Sequence, residues 1–173
     1  PGLAVTGSEV ATEGLGFAAR RMPGASLVQM DARRIPYRAE FDVAGAFDVI
    51  EHIEDDRAVL RELHAAVTPG GGLLLTVPQH PSLWSEYDVR AHHVRRYRSR
   101  ELRDKAVEAG FEIVRMTSFV TLLLPLMYAS RLTQRGQSKD YDPLAELKMA
   151  RWLNWTLEKV LDIFRKNGVT GVL

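Results

Sequence analysis

FDVAGAFDVIEHIEDD, residues 41–56, is the stretch that decides the fold. Its first half is apolar from Val43 to Phe47, and its second half carries Asp48, Glu51 and His52. An unbroken apolar run of this length is typical of a strand covered on both faces, as in a parallel sheet. Ligands bind such sheets beyond the carboxyl ends of the strands. The polar half of the stretch is therefore predicted to lie at the edge of a site.

Short apolar strands alternate with helical segments on both sides of this stretch. The predicted strands are residues 3–7, 27–30, 43–47, 73–77 and 111–119. The predicted helices are residues 12–22, 55–67, 99–109, 121–132 and 144–166. Ser99 is the predicted N-cap of the third helix, and residues 68–72 are the predicted break before the fourth strand. This alternation predicts an α/β fold with a mostly parallel sheet between two layers of helices.

The composition is typical of a globular protein of one domain. The chain has 173 residues, of which 46% are hydrophobic and 26% are charged. Its net charge of +1 gives no electrostatic reason to expect nucleic acid as a partner. It has no Cys, which excludes disulfides, thiolate metal ligands and a cysteine nucleophile. The absence of Cys makes the cytoplasm the simplest compartment. With no signal peptide and no apolar run of the ~20 residues that a span needs, we expect no stable membrane insertion.

Polar residues follow the predicted strands where a ligand would lie. Glu9 follows the first strand and can accept two hydrogen bonds from a ribose diol, although an acid near a helix N-terminus is equally well explained by the helix dipole. Asp31 follows the second strand and can accept the exocyclic amine of an adenine, or it can be a turn aspartate. Gln79 and His80 follow the fourth strand. Both interpretations of these residues stay open.

The glycine pattern GLGFAA at residues 14–19 fits the dinucleotide fingerprint G-x-G-x-x-A. It begins seven residues after Gly7, the predicted end of the first strand, whereas a true fingerprint opens its helix at the strand's tip. Two glycines within a helix cost about 1 kcal/mol each relative to Ala, so close packing of the helix on the sheet explains them better. An NAD-type Rossmann oxidoreductase is kept only as an alternative.

A run of motifs in fixed order gives the chain a family resemblance. The motifs are VTGSEV, VQMDARRIPY, FDVAGAFDVIEHIEDD, LHAAVTPGGGLLLTVP, HHVRRYRSREL and EAGFEIV. Together they resemble the class I S-adenosylmethionine-dependent methyltransferases, in a broad bacterial branch, over residues 1–120. The resemblance implies a Rossmann-like three-layer sandwich in a single domain, residues 1–173. Residues 1–120 would be its cofactor-binding core and residues 121–173 its C-terminal helical segment.

The same resemblance implies how the cofactor is held. The residues that it assigns to S-adenosylmethionine are Glu9 at the ribose, Val10 against the adenine, Asp31 and Ala32 at the adenine edge, and Phe47 and Asp48 near the methionine half and the reacting methyl group. The family also begins with a strand and a glycine-rich loop, and Pro1-Gly2 matches the point after the helix that follows them. We therefore expect a domain whose first βα unit is missing, with a gap in the middle of the sheet. Because that gap leaves main-chain groups unpaired, residues 1–173 alone are expected to bind the cofactor weakly or not at all.

The turn after the third strand holds the predicted catalytic residues. Asp48, Glu51 and His52 stand at i, i+3 and i+4, so on a helix they share a face, and two carboxylates with an imidazole are a candidate divalent-metal set. The turn is similar to the acid-x-x-Glu-His turn that binds metal in ubiquinone-pathway O-methyltransferases and small-RNA 2′-O-methyltransferases, which implies His93 as a further ligand. The alternative is a cofactor pocket without an ion, and no metal is assigned from the sequence. His52 or His93 can instead act as a general base, because imidazole titrates near neutral pH.

The predicted acceptor is a small molecule, either anionic or lipidic. The run VRAHHVRRYRSRELR, residues 89–103, carries six Arg residues and Tyr97 and suits an anion, although such a run is commonly a solvated face. The apolar segment FVTLLLPLMY, residues 119–128, suits a core, a substrate cover or contact with a lipidic substrate. The sequence thus predicts an S-adenosylmethionine-dependent methyltransferase, with a truncated or degenerate binding module as the non-enzymatic alternative. No oligomeric state is predicted.

Overall fold

The computed structural model describes residues 2–118 and residue 128. Its strands and helices are, in chain order, β1 (Thr6–Glu9), α1 (Thr12–Arg21), β2 (Ser26–Gln29), β3 (Phe41–Phe47), α2 (Asp56–Ala66), β4 (Val67–Thr76), α3 (Glu86–Arg90) and α4 (Ser99–Glu108). Single 3-10 turns lie at Ile50–His52 and Pro81–Leu83. The predicted alternation of strands and helices is confirmed as far as α4.

The first three elements form a parallel strand-helix-strand unit. β1 pairs with β2 over its whole length, beginning with Thr6 opposite Ser26, and α1 supplies the crossover that a parallel pair needs. β1 lies later in the chain than predicted, because the short β2 pairs only with residues 6–9. Before β1, the carbonyl of Val5 accepts the N–H of Ser26. Glu9 is therefore the last residue of β1 and not a residue beyond it.

β3 and β4 form the second parallel pair, and α2 connects them. β3 confirms the predicted strand and begins slightly earlier, at Phe41. The predicted break at residues 68–72 lies inside β4, but residues 68–71 have no partner in β3, and regular pairing starts at Gly72. The register jumps between Phe41 and Val43, and Gly70 has a φ of +80° that glycine adopts without strain. The glycine run is therefore an irregular stretch within a strand.

Every strand pair among the described residues is parallel, as predicted. Within residues 2–118, β1 pairs with β2 and β3 pairs with β4, so that each sheet has two strands. Met30 and Ala32, which follow β2, pack against the core cluster of the second sheet. In this part of the chain β1 and β3 each have one edge without a strand partner. The gap in the middle of the sheet stays a prediction.

The core lies where α2 packs on the β3–β4 pair. The buried residues of this cluster are Ile35, Ala46, Ile50, Val59, Leu63, Ala66 and Tyr97. Val59, Leu60 and Leu63 recur at helical spacing along α2, and all three are buried. The helix predicted at residues 55–67 is thus confirmed, except that Val67 begins β4. Burying each such side chain contributes about 1.5–3 kcal/mol, so the apolar face holds α2 in place.

β3 differs from the expectation of a strand covered on both faces. Ala46 is buried, whereas Val43 and Phe47 are 57% and 61% exposed. Side chains alternate along a strand, so Val43 and Phe47 belong to the face opposite α2. In the described part of the chain that face is open to solvent.

α4 and the residues after it differ in two ways from the prediction. The N-cap of α4 is Arg98, so the prediction that Ser99 is the cap is wrong. The Ser99 hydroxyl instead accepts a hydrogen bond from the Gln79 amide at 2.7 Å. The strand predicted at residues 111–119 is absent from residues 111–118, where the structure offers it no neighbouring strand.

The chain divides into two compact units, Pro1–Pro81 with His92–Val114 and Ser82–Ala91 with Arg115–Leu173. In the second unit, the Asp88 carboxylate accepts the N–H of Ser85 at 2.8 Å at the start of α3. The helices predicted at 121–132 and 144–166 lie outside the described residues, apart from Tyr128, which is helical. None of the described helices is long and apolar enough to cross a bilayer.

Candidate active site

The residues predicted for the site lie at the carboxyl ends of the strands. In chain order they are Glu9 at the end of β1, Val10 directly after it, Asp31 and Ala32 after β2, Phe47 at the end of β3, and Asp48, Glu51 and His52 after it. Parallel strands place such residues at the same edge of a sheet, which is the edge that binds ligands in this class of fold. All the predicted site residues except His93 therefore lie at this edge because they follow strands.

Asp48 leaves β3 in an unusual backbone conformation. Its φ is +52°, in the left-handed region that Asp adopts more readily than most residues. Its N–H donates to the carbonyl of Thr76 at 3.1 Å, and the Thr76 hydroxyl donates to its carboxylate at 3.2 Å. The end of β4 therefore fixes the main chain at the point where β3 enters the site.

The turn after Asp48 is not the helix that the spacing predicts. Residues Ile50–His52 form one 3-10 turn, and the left-handed φ of Asp48 takes that residue out of it. The prediction that Asp48, Glu51 and His52 share a helical face is therefore wrong. Glu51 points into the protein and is fully buried, whereas His52 is exposed.

Glu51 is a buried carboxyl without a hydrogen-bonding partner. Neither of its carboxylate oxygens has a partner among the described residues. The pKa of Glu51 is raised to about 7, mainly by burial. Its own peptide N–H lowers this pKa, the charge of Asp48 raises it and the charge of His93 lowers it. A buried polar group in this condition costs roughly 1–3 kcal/mol, which indicates that a ligand, ion or proton completes it.

His93 joins Glu51 and His52 in one cluster. A ligand atom from each of the three residues lies within 4.8 Å of the other two. The imidazole rings of His52 and His93 meet edge to face, with 4.7 Å between their centroids. Asp48 is not a member of this group, although its charge is felt at Glu51. The cluster supplies one oxygen and two nitrogen ligands, or two bases beside a carboxyl group.

The loop that carries His93 is attached to the turn by its neighbours. The N–H of Val94 donates to the carbonyl of Glu51 at 2.8 Å. The guanidinium of Arg95 donates to the carbonyl of Glu54 at 2.8 Å and pairs with Asp56 at 2.8 Å. These bonds bring His93 to a turn that comes about forty residues earlier in the chain.

Asp56 lies at the centre of a buried polar group next to the site. One of its oxygens accepts the Tyr97 hydroxyl at 2.7 Å and the Lys105 ammonium at 2.6 Å, in addition to its contact with Arg95. Burial alone would raise the pKa of Asp56, but the bonds from Lys105 and Tyr97 hold it below its ordinary value. Burial and the bond to Asp56 raise the pKa of Tyr97, so the phenol stays protonated.

Sequence reasoning missed this group. Asp56 stands in the first turn of α2 beside Asp55, where an acid is expected from the helix dipole alone. Its partners Tyr97 and Lys105 lie 41 and 49 residues away, so no local spacing marks it as buried. The location of Tyr97 corrects the idea that it faces an anionic substrate, because its side chain is in the core.

Glu9 is bonded at its own helix entrance. One carboxylate oxygen accepts the N–H of Val10 at 2.7 Å and the N–H of Ala11 at 3.3 Å. A Cβ on Gly14 would lie 2.6 Å from the Glu9 side chain, so the glycine in α1 makes room for that carboxylate. This contact supports the packing explanation for Gly14 alone, because a Cβ on Gly16 would meet nothing within 4 Å. Val10 is exposed, and its carbonyl accepts the Gln29 amide at 2.9 Å.

Asp31 is paired with a neighbour. The Arg33 guanidinium contacts its carboxylate at 2.6 Å, and the Arg33 N–H donates to it at 2.9 Å. These hydrogen bonds lower the pKa of Asp31 to about 2. Ala32 beside it is half-buried and packs against the core. A ligand at this carboxylate would have to share it with Arg33, whose side chain is exposed.

The basic run is less available to an anion than its sequence indicates. Arg95 turns inward, as described above, and the exposed Arg100 lies 4.0 Å from Asp104. Arg90, in the second unit, pairs with Glu86 at 3.5 Å. Arg90 and Arg100 therefore belong to an ordinary charged surface, whereas Arg95 stabilises the fold.

Comparison with known proteins decides the family. A sequence model described as a methyltransferase domain matches residues 6–116, which is more than half of the chain. The chain belongs to this methyltransferase-domain family. The match covers both parallel strand pairs and the cluster of Glu51, His52 and His93. No curated protein matches the chain.

Solved structures share the fold of this methyltransferase domain. An S-adenosylmethionine-dependent methyltransferase of Mesorhizobium loti matches with a TM-score of 0.56 at 18% identity, over 76% of this chain and 74% of that one. The phosphoethanolamine N-methyltransferase 2 of Haemonchus contortus, solved with S-adenosylmethionine, gives 0.58 at 20% identity, over 95% of this chain and 40% of that one. The [4+2]-cyclase SpnF gives 0.54 at 22% identity, over 65% and 44%.

These matches confirm a Rossmann-like fold and do not fix the reaction. All three identities are low, and one of the three proteins is described as a cyclase. The methyltransferase domain spans about half the length of several solved structures that it matches, between 44% and 55% of them. The reaction and the acceptor therefore depend on the residues of the site.

Proposed function

We propose that the protein transfers a methyl group from S-adenosylmethionine to a small-molecule acceptor. The observation that carries the proposal is the family match over residues 6–116, which contains all the residues assigned to the cofactor and to catalysis. When bound, S-adenosylmethionine supplies a methyl group on a sulfonium sulfur. Transfer of such a group needs alignment of the acceptor with the methyl, so a site that positions the acceptor is sufficient.

The residues proposed to hold the cofactor lie on the ends of three strands. They are Glu9 and Val10 after β1, Asp31 and Ala32 after β2, and Phe47 and Asp48 at β3. Glu9 fits this role, because within the described residues its hydrogen bonds use one carboxylate oxygen, leaving the other to accept a ribose hydroxyl. Asp31 fits it less directly, since Arg33 already occupies both of its oxygens.

The cluster of Glu51, His52 and His93 is proposed to act on the acceptor. Two imidazoles beside a carboxyl group can take a proton from an acceptor hydroxyl or amine as the methyl is transferred. A carboxyl with its pKa raised to about 7 is also a competent acid or base near neutral pH. Asp48 lies next to the cluster and modulates its charge.

A divalent cation in the same cluster is the finer form of this proposal. One carboxylate and two imidazoles suit a first-row transition metal, and the buried Glu51 oxygens have no partner among the described residues. A cation would supply that partner and would polarise an acceptor oxygen. The residues that would hold it are Glu51, His52 and His93.

Binding measurements test the cofactor proposal. Calorimetry on the full-length protein with S-adenosylmethionine, S-adenosylhomocysteine and NAD should show binding of the first two and not of NAD. Binding of NAD alone would replace the proposal with the oxidoreductase alternative. Binding of S-adenosylmethionine without methyl transfer to any member of an acceptor panel would favour the degenerate binding module.

Calorimetry with Co²⁺, Mn²⁺ or Zn²⁺ alone tests the cation. We expect one ion per chain, and an affinity at least about ten-fold lower in Glu51→Gln and His93→Asn. His92→Asn is the matched control, because His92 is an exposed neighbour in the same loop and outside the cluster. Equal affinity in all variants would contradict a cation at this site and would leave the cluster as a proton-transfer group.

The surroundings of the cluster support one class of acceptor over the other. The exposed members of the basic run, among them Arg98 beside the buried Tyr97, favour an anionic small molecule. A lipidic acceptor would depend on residues 119–128, of which only Tyr128 is described. Methyl transfer to paired acceptors with and without a carboxylate would separate the two classes.

A further inference from the structure

Arg95, a member of the basic run, contacts two residues at the start of α2, Glu54 and Asp56. Its two terminal nitrogens lie 2.8 Å from the Asp56 carboxylate and 2.8 Å from the carbonyl of Glu54. The second nitrogen also approaches the Glu54 carboxylate at 3.2 Å. The side chain is only 22% exposed, so it does not face an acceptor in solvent.

The loop around His93 has few other attachments of its backbone. Residues 93–96 form no helix or strand, and His92 before them has a φ of +57°. The bond from Val94 to the carbonyl of Glu51 is the backbone attachment next to His93. The next one along the chain is the N–H of Tyr97, which donates to the carbonyl of Pro78 at 2.9 Å. Between these two bonds, the loop is held by the side chain of Arg95.

The anchor that Arg95 reaches is itself rigid. Asp56 is buried at the start of α2 and also binds Tyr97 and Lys105, which come from the loop and from α4. Glu54 belongs to the segment that leads from the Glu51 turn into α2. Arg95 therefore ties the His93 loop to Glu54 and Asp56, which follow the turn that carries the other members of the cluster.

We propose that Arg95 is a positioning residue that holds His93 against Glu51 and His52 by bridging Asp56 and Glu54. It does not touch the acceptor or the cofactor, and it acts through His93. Its effect on catalysis rests on the proposed function, whereas its effect on the cluster can be measured without turnover.

The bridge depends on the planar fork of arginine. A guanidinium presents several N–H donors in fixed directions and can bind two acceptors at once, while a lysine ammonium reaches them as a single point charge. Arg95→Lys should therefore keep the ion pair with Asp56 and lose the bond to Glu54. Arg95→Met keeps much of the apolar stem and removes both contacts. In that variant Asp56 retains Tyr97 and Lys105, so we expect the fold to persist.

Histidine NMR on the full-length protein tests the geometry. In the natural protein a nuclear Overhauser effect between ring protons of His52 and His93 is expected from their edge-to-face contact. It should be lost in Arg95→Met, weakened in Arg95→Lys and unchanged in Arg61→Met, a control at an exposed position on α2. Persistence of the effect in folded Arg95→Met overturns the proposal, and so does its loss in the control.

If Arg95→Met does not fold, Arg95→Lys is measured instead. An undiminished Overhauser effect in Arg95→Lys would then contradict the proposal.

Kinetics supply the second measurement. Misplacing a catalytic group by about 1 Å costs on the order of 100-fold, so kcat should fall by that factor in Arg95→Met, with KM for S-adenosylmethionine unchanged and partial rescue in Arg95→Lys. Loss of the ring contact with no change in kcat would refute the catalytic role of His93 and leave the positioning role standing.

Discussion

His93 lies edge-on to His52, with 4.7 Å between the ring centroids and an angle of 76° between the planes. The first ring belongs to the loop before α4 and the second to the turn after β3. Their contact forms only when that loop folds back onto the carboxyl end of β3. The pair is therefore a direct reporter of whether the site is assembled.

Glu51→Gln should stabilise the protein at alkaline pH. The folded-state pKa is about 7, above the ordinary 4.5, so folding free energy is lost as the pH rises from the lower value through the higher one. The loss reaches about 3 kcal/mol once Glu51 is ionised in both states. Glutamine has the same shape and no charge, so the variant should melt higher than the natural protein at pH 8, with a much smaller difference at pH 5.

Thermal melting in the presence of EDTA checks this, because a bound cation would offset the cost of the charge. Glu112→Gln is the control, since Glu112 is exposed and should give no pH-dependent difference. A constant difference between Glu51→Gln and the natural protein from pH 5 to pH 8 would mean that the carboxyl has an ordinary pKa.

Asp56→Ala should destabilise far more than Asp55→Ala. The first change leaves the buried Lys105 ammonium and Tyr97 hydroxyl without their shared acceptor, which costs about 3–5 kcal/mol for a broken buried ion pair. The second removes an N-cap whose side chain accepts the N–H of Ala58, at a cost of about 1 kcal/mol. Urea unfolding measures both free energies, and similar values would show that the buried polar group is not a source of stability.

Gly71→Ala should destabilise β4, whereas Gly72→Ala should not. A Cβ at Gly71 would lie 2.8 Å from the carbonyl oxygens of Asp42 and Thr68, and neither backbone group can move freely. We expect a loss of about 1–3 kcal/mol from such overpacking. At Gly72 a Cβ meets nothing within 4 Å. The comparison is made by urea unfolding, and equal stability of the two variants would contradict the close approach of β3 and β4 at Gly71.

Glu9→Gln should weaken binding of S-adenosylmethionine. A hydrogen bond to a charged acceptor contributes about 1.5–3 kcal/mol, which corresponds to roughly a 10- to 100-fold change in affinity. Glu13→Gln, on the exposed side of α1, is the control. Calorimetry on the full-length protein distinguishes the two, and unchanged affinity in Glu9→Gln would remove Glu9 from the cofactor site.

Much of the fold could be predicted because its signals are local. The apolar run before Asp48 predicts β3, and the spacing of Val59 and Leu63 predicts α2. The glycine run was misjudged because the same residues that mark a turn also permit an irregular strand. The decisive information there is the partner strand, which no local pattern contains.

The site residues also divide into features that local sequence predicts and features that depend on distant partners. Strand ends predict where Glu9, Asp31 and Asp48 lie, since chain order and sheet geometry suffice. The pairing of Asp31 with Arg33 and the burial of Glu51 are side-chain events that composition does not specify. Asp56 could not be predicted at all, because an acid at a helix start looks the same whether it is solvated or binds a distant Lys105.

α2 passes directly into β4, with Ala66 ending the helix and Val67 beginning the strand. There is consequently no linker at this joint in which the chain can vary in length. A single residue inserted between Ala66 and Val67 would move Val67 away from Phe41, its partner in β3. Natural relatives should therefore differ in length elsewhere, for example between β2 and β3, and keep this joint at constant spacing.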